Sequence, residues 1–173
     1  MRAKLINESL NKYSFEKKTN PLVSLGVGKK AIISKWLDEM DVKNYNINDD
    51  YTININGDLD LSNKDLYKFP DYIQFNKVLG SFWLYDNYLE NLKGCPNFVE
   101  VNFNCSSNVL NSLEGCPEYV GGWFDCGNNH LTSLKGCPKT VKSSFSCNDN
   151  DVEFTIKDVL KYCKKSSDLI YTK

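Results

Sequence analysis

From Phe82 the chain reads FWLYDNYLENLKGCPNFVEVN, from Phe103 FNCSSNVLNSLEGCPEYVGGW, from Phe124 FDCGNNHLTSLKGCPKTVKSS, and from Phe145 to Asn150 FSCNDN. These lines fall into register at a step of 21 residues. Gly94-Cys95-Pro96 returns as Gly115-Cys116-Pro117 and Gly136-Cys137-Pro138, and Phe103-Xaa-Cys105 as Phe124-Xaa-Cys126 and Phe145-Xaa-Cys147. Asn87, Asn108, Asn129 and Asn150 keep the step, as do Leu89, Leu110, Leu131 and Val152, and Leu92, Leu113 and Leu134. A fixed period of this length predicts a solenoid, in which each unit buries its apolar face only against its neighbours.

Each repeated slot has a physical reason of its own. Phe and Cys at alternate positions of a short strand point inward and leave the residue between them on the outer face of a parallel sheet. The Asn column can exchange hydrogen bonds with turn backbone groups that would otherwise be buried without partners. Gly admits a positive φ, and Pro fixes the next bend. None of these residues is by itself a sign of catalysis.

Outward from the repeats, Leu59-Asp60-Leu61, Leu66 and Phe69-Pro70 form an earlier, 23-residue unit that matches Phe82-Xaa-Leu84, Leu89 and Leu92. Turns should therefore begin near residues 59, 82, 103 and 124, with a last strand at 145–147. Upstream, Tyr45, Ile47, Tyr51, Ile53 and Ile55 alternate, and with Asn56-Gly57 they predict a hairpin or short strands leading into the sheet. Between Lys29 and Met40, Ile32, Ile33, Trp36, Leu37 and Met40 recur at helical spacing. A helix with that stripe must dock, and the open end of the solenoid is the available surface. Leu5, Ile6, Leu10 and Tyr13 give a shorter helical pattern. Gly26-Val27-Gly28-Lys29 lacks P-loop spacing and has Lys30 where Ser or Thr would hold magnesium, so a plain loop is expected. At the other end, Ile156, Val159, Leu160 and Cys163 step as an amphipathic helix, opened by the capping-box pair Thr155 and Asp158. Leu169-Ile170-Tyr171 should pack or pair as a short strand. The expected organisation is one structural unit: a helical segment and cap over 1–57, the solenoid over 58–152, and a capping helix and tail over 153–173.

A chain of 173 residues with a quarter of them charged is the size of one soluble domain. A net charge of -1 argues against a dedicated nucleic-acid binder. No apolar run approaches the roughly 18 residues of a membrane span, and the N-terminus lacks an apolar signal core, so a cytoplasmic location is expected. Charge is uneven: residues 1–45 carry nine Lys/Arg against five Asp/Glu, and residues 46–150 seven against thirteen. Six of the seven cysteines fall in the two repeat columns. Neighbours in a column should lie about 4.8 Å apart, close to disulfide range. In a cytosolic chain they read as reduced, buried thiols. No Cys-Xaa-Xaa-Cys pair is present, and neither metal nor cofactor is expected.

Leu84-Xaa-Xaa-Asn87-Xaa-Leu89-Xaa-Xaa-Leu92 has the spacing of the leucine-rich repeat, with Cys105, Cys126 and Cys147 in the Leu84 slot of later turns. The Gly-Cys-Pro form, the Phe-Xaa-Cys strands and the Ile6-Asn7-Glu8-Ser9-Leu10 start resemble small leucine-rich-repeat-like proteins of tailed bacteriophages. That resemblance covers almost the whole chain and implies an α/β fold: a short parallel-sheet solenoid with helical caps at both ends, acting inside an infected bacterium.

Function has to be sought at exposed positions that vary between repeats. Trp83, Tyr85 and Trp123 fall on the outer side of the predicted sheet, where folding does not need them, with Asn104 and Asp125 beside them. Aromatics among Asp and Asn are the composition of a binding hot spot, unless the N-terminal segment folds over them. His130, the only histidine, sits in the slot of Tyr88 and Val109 and reads as a surface residue. Asn148-Asp149-Asn150-Asp151 lacks the spacing of a calcium loop, and Asp58 and Asp60 have no evident nucleophile to serve. The expected function is a non-enzymatic module that binds a bacterial host protein, such as a defence factor, through Trp83, Tyr85, Asn104, Trp123 and Asp125, with neither nucleic acid nor membrane as partner. A virion-associated or self-assembling structural protein is one alternative, and a small-ligand or nucleotide binder another.

Overall fold

The phenylalanine column forms the spine of the molecule. Phe82, Phe103, Phe124 and Phe145 follow one another with ring centroids 5.3, 5.8 and 4.9 Å apart. The series continues through Phe75 and Phe69 to Trp36. Each such pair adds about 1 kcal/mol beyond the area it buries. The structure, a computed structural model, describes residues 28–164 and 170–172. The Leu5–Tyr13 pattern and the start of the Gly26-Val27-Gly28 loop lie outside the described residues.

In chain order the elements are α1 (Lys29–Glu39), the strands β1 (Tyr45–Ile47), β2 (Ile53–Ile55), β3 (Leu59–Asp60), β4 (Phe75–Val78), β5 (Phe82–Trp83), β6 (Phe98–Val99), β7 (Phe103–Asn104), β8 (Tyr119–Val120), β9 (Phe124–Asp125), β10 (Thr140–Val141) and β11 (Phe145–Ser146), then α2 (Ile156–Tyr162) and β12 (Ile170–Tyr171). They build a parallel β-solenoid of about five turns, in which each repeat supplies a strand to two separate sheets. Sheet A runs β1-β2-β4-β6-β8-β10 and sheet B runs β3-β5-β7-β9-β11-β12. Among the described strands only β1 is antiparallel to its neighbour. The 23-residue first unit is in register, with Leu59 opposite Phe82, and Ile170-Tyr171 pairs parallel to β11 as the tail strand.

Sheet A was not foreseen in the repeats. Its inward residues, Val78, Val99, Val120 and Val141, are fully buried, whereas its outward slot varies as Lys77, Phe98, Tyr119 and Thr140. The hairpin exists, but its loop is Asn48–Thr52, where Tyr51 takes φ 69° and the Asp50 carboxylate accepts from the Thr52 N–H and hydroxyl. Asn56-Gly57 instead turns the chain from sheet A into sheet B, with Gly57 at φ 137°.

The Asn column binds turn to turn. Asn108 accepts from the Leu89 N–H at 2.9 Å and donates to the carbonyls of Leu84 and Cys105 at 3.0 and 3.2 Å. Asn129 repeats this with Leu110, Cys105 and Cys126. Gly115 has φ 88°, and a Cβ there would stand 2.8 Å from the Leu92 carbonyl oxygen of the preceding turn, so its slot requires glycine on both counts. All seven cysteines are buried thiols outside any disulfide. Cys105 and Cys126 donate through Sγ to the Asp125 and Ser146 carbonyls of the next turn, each at 3.4 Å.

In α1 the predicted stripe is buried as expected, including Met40 at the helix end. In α2 it is not. Thr155 and Asp158 form both bonds of the capping box, and Val159 and Cys163 are buried, yet Ile156 and Leu160 are 55% and 56% exposed. This seven-residue helix rests on one edge and covers too little surface to bury all four. Among the described residues no helix is long and apolar enough to cross a membrane.

Candidate interaction face

Side chains alternate across each short strand, so with Phe82, Phe103 and Phe124 inside, Trp83, Asn104 and Asp125 face outward. In-register pairing sets Asp60, Trp83, Asn104, Asp125 and Ser146 in one row across sheet B. Trp123 precedes β9 by one residue and Tyr85 follows β5 by two, so they flank the row. The fold thus brings all five singled-out residues onto one surface. The Trp83 and Trp123 rings meet over the intervening strand β7, with centroids 5.4 Å apart and planes at 52°. Both are half-buried, and among the described residues neither indole N–H nor the Tyr85 hydroxyl has a hydrogen-bond partner.

The polar members of the face are held by local bonds. Asp60 Oδ1 accepts from the Ser62 N–H and hydroxyl at 3.0 and 2.6 Å. Asn104 Oδ1 does the same with Ser106 at 2.9 and 2.7 Å, and Asp125 Oδ1 accepts from the Gly127 N–H at 2.9 Å. Asn102 Oδ1 accepts from the Trp123 N–H at 3.0 Å, while its amide donates to Ser81 Oγ at 3.3 Å. A Cβ at Gly122 would collide with that Asn102 oxygen, so glycine there keeps the clamp on Trp123 possible. Burial raises the pKa of the Asp125 carboxyl from its ordinary value, opposed in part by the bonds from Gly127 and Ser146. The face is therefore pre-shaped, which lowers the entropy cost of binding.

Other candidates stand apart. His130 Nδ1 lies 3.0 Å from Asp151 Oδ1 with both side chains exposed, a pair worth little in solvent. Asp58 Oδ1 accepts from the Ser81 N–H and is part of the strand edge. Among the described residues no three His, Cys, Asp or Glu side chains are grouped to hold a metal ion. Two surface aromatic pairs escaped the sequence reading. Tyr67 and Tyr88 stack at 5.2 Å, and Phe98 and Tyr119 stack at 5.0 Å on the outer side of sheet A. The second pair sits one repeat apart in a single slot, a signal that was there to be read. Comparison of the chain with protein-family models, with curated proteins and with solved structures finds no match.

Proposed function

We propose that this protein is a non-enzymatic protein-binding module whose docking surface is the outer face of sheet B. The observation that carries the reading is the contact of the half-buried Trp83 and Trp123 on a face otherwise made of short polar side chains, since tryptophans clustered on a surface are frequent anchors of interfaces. The finer identity that goes with it is a leucine-rich-repeat-like solenoid with helical caps, supported at one end by Trp36 packing edge-on against Phe69 and at the other by burial of Val159. The phage resemblance makes bacterial host proteins, defence factors among them, the pool in which the partner is sought, and the host cytoplasm the place of action. Affinity capture from bacterial lysate with the full chain and with a Trp83→Ala, Trp123→Ala variant tests this. One stoichiometric partner lost in the variant is expected. A partner retained by a folded variant would remove the face from consideration.

A second reading, self-assembly, has its own observation: Ile156 and Leu160 of α2 and Tyr171 of β12 leave apolar surface at the C-terminal end. Light scattering over a concentration series, with Leu160→Lys as control, distinguishes end-to-end association from a monomer.

A further inference from the structure

The outer face of sheet B is predominantly acidic from β3 to β11, with two lysines at its β3 edge. From β3 to β11 its outward residues and corners fall in 58–63, 81–86, 102–107, 123–128 and 144–149, and these windows contain no Lys or Arg. Lys43 and Lys64 border the β3 edge, where they line one pocket with Asp58 and Asp60, and Lys43 pairs with Asp41. The windows contain Asp58, Asp60, Asp86, Asp125 and Asp149. Among the described residues none of these carboxylates is ion-paired, since the salt bridges of the molecule lie elsewhere. Sheet A differs: Lys77, Glu100, Glu118, Lys139 and Lys142 mix both signs, and Lys139 pairs with Glu118 at 2.7 Å.

We propose that the partner meets this face with a Lys- or Arg-bearing segment, an inference that rests on the face being the docking surface. Three features of the geometry fit a cation. Asp60 lies beside Trp83 in the strand register, and Asp125 lies two strands on in the same row, so an indole is bracketed by carboxylates. Asp58 and Asp60 are each held through Oδ1 alone, leaving Oδ2 without a partner among the described residues. A pre-oriented carboxylate oxygen next to an indole face offers a guanidinium or ammonium both a charge-assisted hydrogen bond and a cation–π contact. An excess of negative charge on one face also raises the local concentration of cationic ligands and repels anionic ones, phosphate backbones included.

The test uses fluorescein-labelled peptides of equal length and equal aromatic content, one basic, one neutral and one acidic, titrated with the full-length protein at about 150 mM salt. The basic peptide is expected to bind about tenfold tighter than the neutral one, and the acidic one not at all. Asp60→Asn with Asp125→Asn keeps the local acceptors and is expected to weaken the basic peptide about fivefold and leave the neutral one unchanged. Glu100→Gln with Glu118→Gln on sheet A is expected to change nothing. Equal affinities for basic and neutral peptides, no binding by any peptide, or an equal loss in the sheet A variant would overturn the proposal. If the peptides fail while the double tryptophan variant still loses its lysate partner, the face stands and its charge chemistry is wrong. If both fail, the docking surface itself is rejected.

Discussion

At the scale of single residues, Asn108 shows how one side chain can satisfy two turns. It accepts from the Leu89 N–H and donates to the Leu84 and Cys105 carbonyls, all in the interior. Asn108→Ala would leave the Leu89 N–H buried and unpaired, at about 1–3 kcal/mol, while the Leu84 and Cys105 carbonyls keep the amides of Asn87 and Asn129. Urea denaturation should therefore show an unfolding free energy lowered by about 2 kcal/mol, and a change below about 0.5 kcal/mol would mean that water or a local shift replaces the amide. Asp125 is the opposite case, a group whose ionised form the fold disfavours. Because burial raises its folded pKa, the folded chain holds that proton more tightly than the unfolded one, and a penalty is present at neutral pH that acidification through the carboxylate range relieves. Asp125→Asn, which keeps an oxygen for the Gly127 N–H as Asn104 does for Ser106, should raise the Tm at neutral pH, with the gain shrinking as pH falls. A variant less stable than the parent at neutral pH would show that the negative charge is needed on this face.

At the scale of elements, α2 illustrates a correct period with the wrong consequence. The apolar steps from Ile156 to Cys163 and the Thr155 cap announced a helix, and it is there, but periodicity says nothing of how wide a surface the helix finds to cover. Its short span leaves Ile156 and Leu160 outside. Leu160→Glu should thus change stability by no more than about 0.5 kcal/mol, whereas Val159→Ala should cost about 2 kcal/mol. Equal losses on thermal melting would place Leu160 in the core after all. Sheet B was legible because Phe-Xaa-Cys repeats unchanged in chemistry as well as spacing. Sheet A was not, because one constant Val per turn is a weak mark and the residue before it runs from Lys77 through Phe98 and Tyr119 to Thr140. Ser107 marks a further regularity visible only in the backbone. It shares the left-handed corner, at φ 53°, with Asn63, Asp86, Asn128 and Asp149. Asn and Asp tolerate that region better than Ser, so Ser107→Asn should stabilise by about 0.5 kcal/mol, and a loss on urea titration would mean that the bond from Asn128 Nδ2 to Ser107 Oγ outweighs the backbone gain. The candidate site followed the same division: the strand register was enough to place Trp83, Asn104 and Asp125 in one row, but the meeting of Trp83 with Trp123 across β7 depends on side-chain reach that spacing cannot supply.

At the scale of the whole molecule, stability is a sum over turns and the contacts between neighbours, and the buried thiols report on it turn by turn. Burial pushes the Cys137 and Cys147 thiols up to about 12 and raises those of Cys105, Cys116 and Cys126 as well. Between the ordinary 9.0 and about 12 the unfolded chain releases protons that the folded core keeps, so this contribution is whole below 9.0 and is lost progressively as pH rises from there to about 12. At neutral pH the folded thiols are protonated and covered, and a thiol reagent reaches them only when a turn opens. The last turn is held on its outer side by β12 and by a helix that buries little, whereas Cys116 and Cys126 have turns on both sides. Labelling of the native chain followed by peptide mass analysis should therefore modify Cys163 and Cys147 before Cys116 and Cys126, and all seven cysteines together once the protein is unfolded. A single common rate in native buffer would mean that the solenoid opens only as one unit, with the end turns as firmly held as the middle, because the aromatic spine from Trp36 to Phe145 couples every turn to the next more strongly than either end can fray.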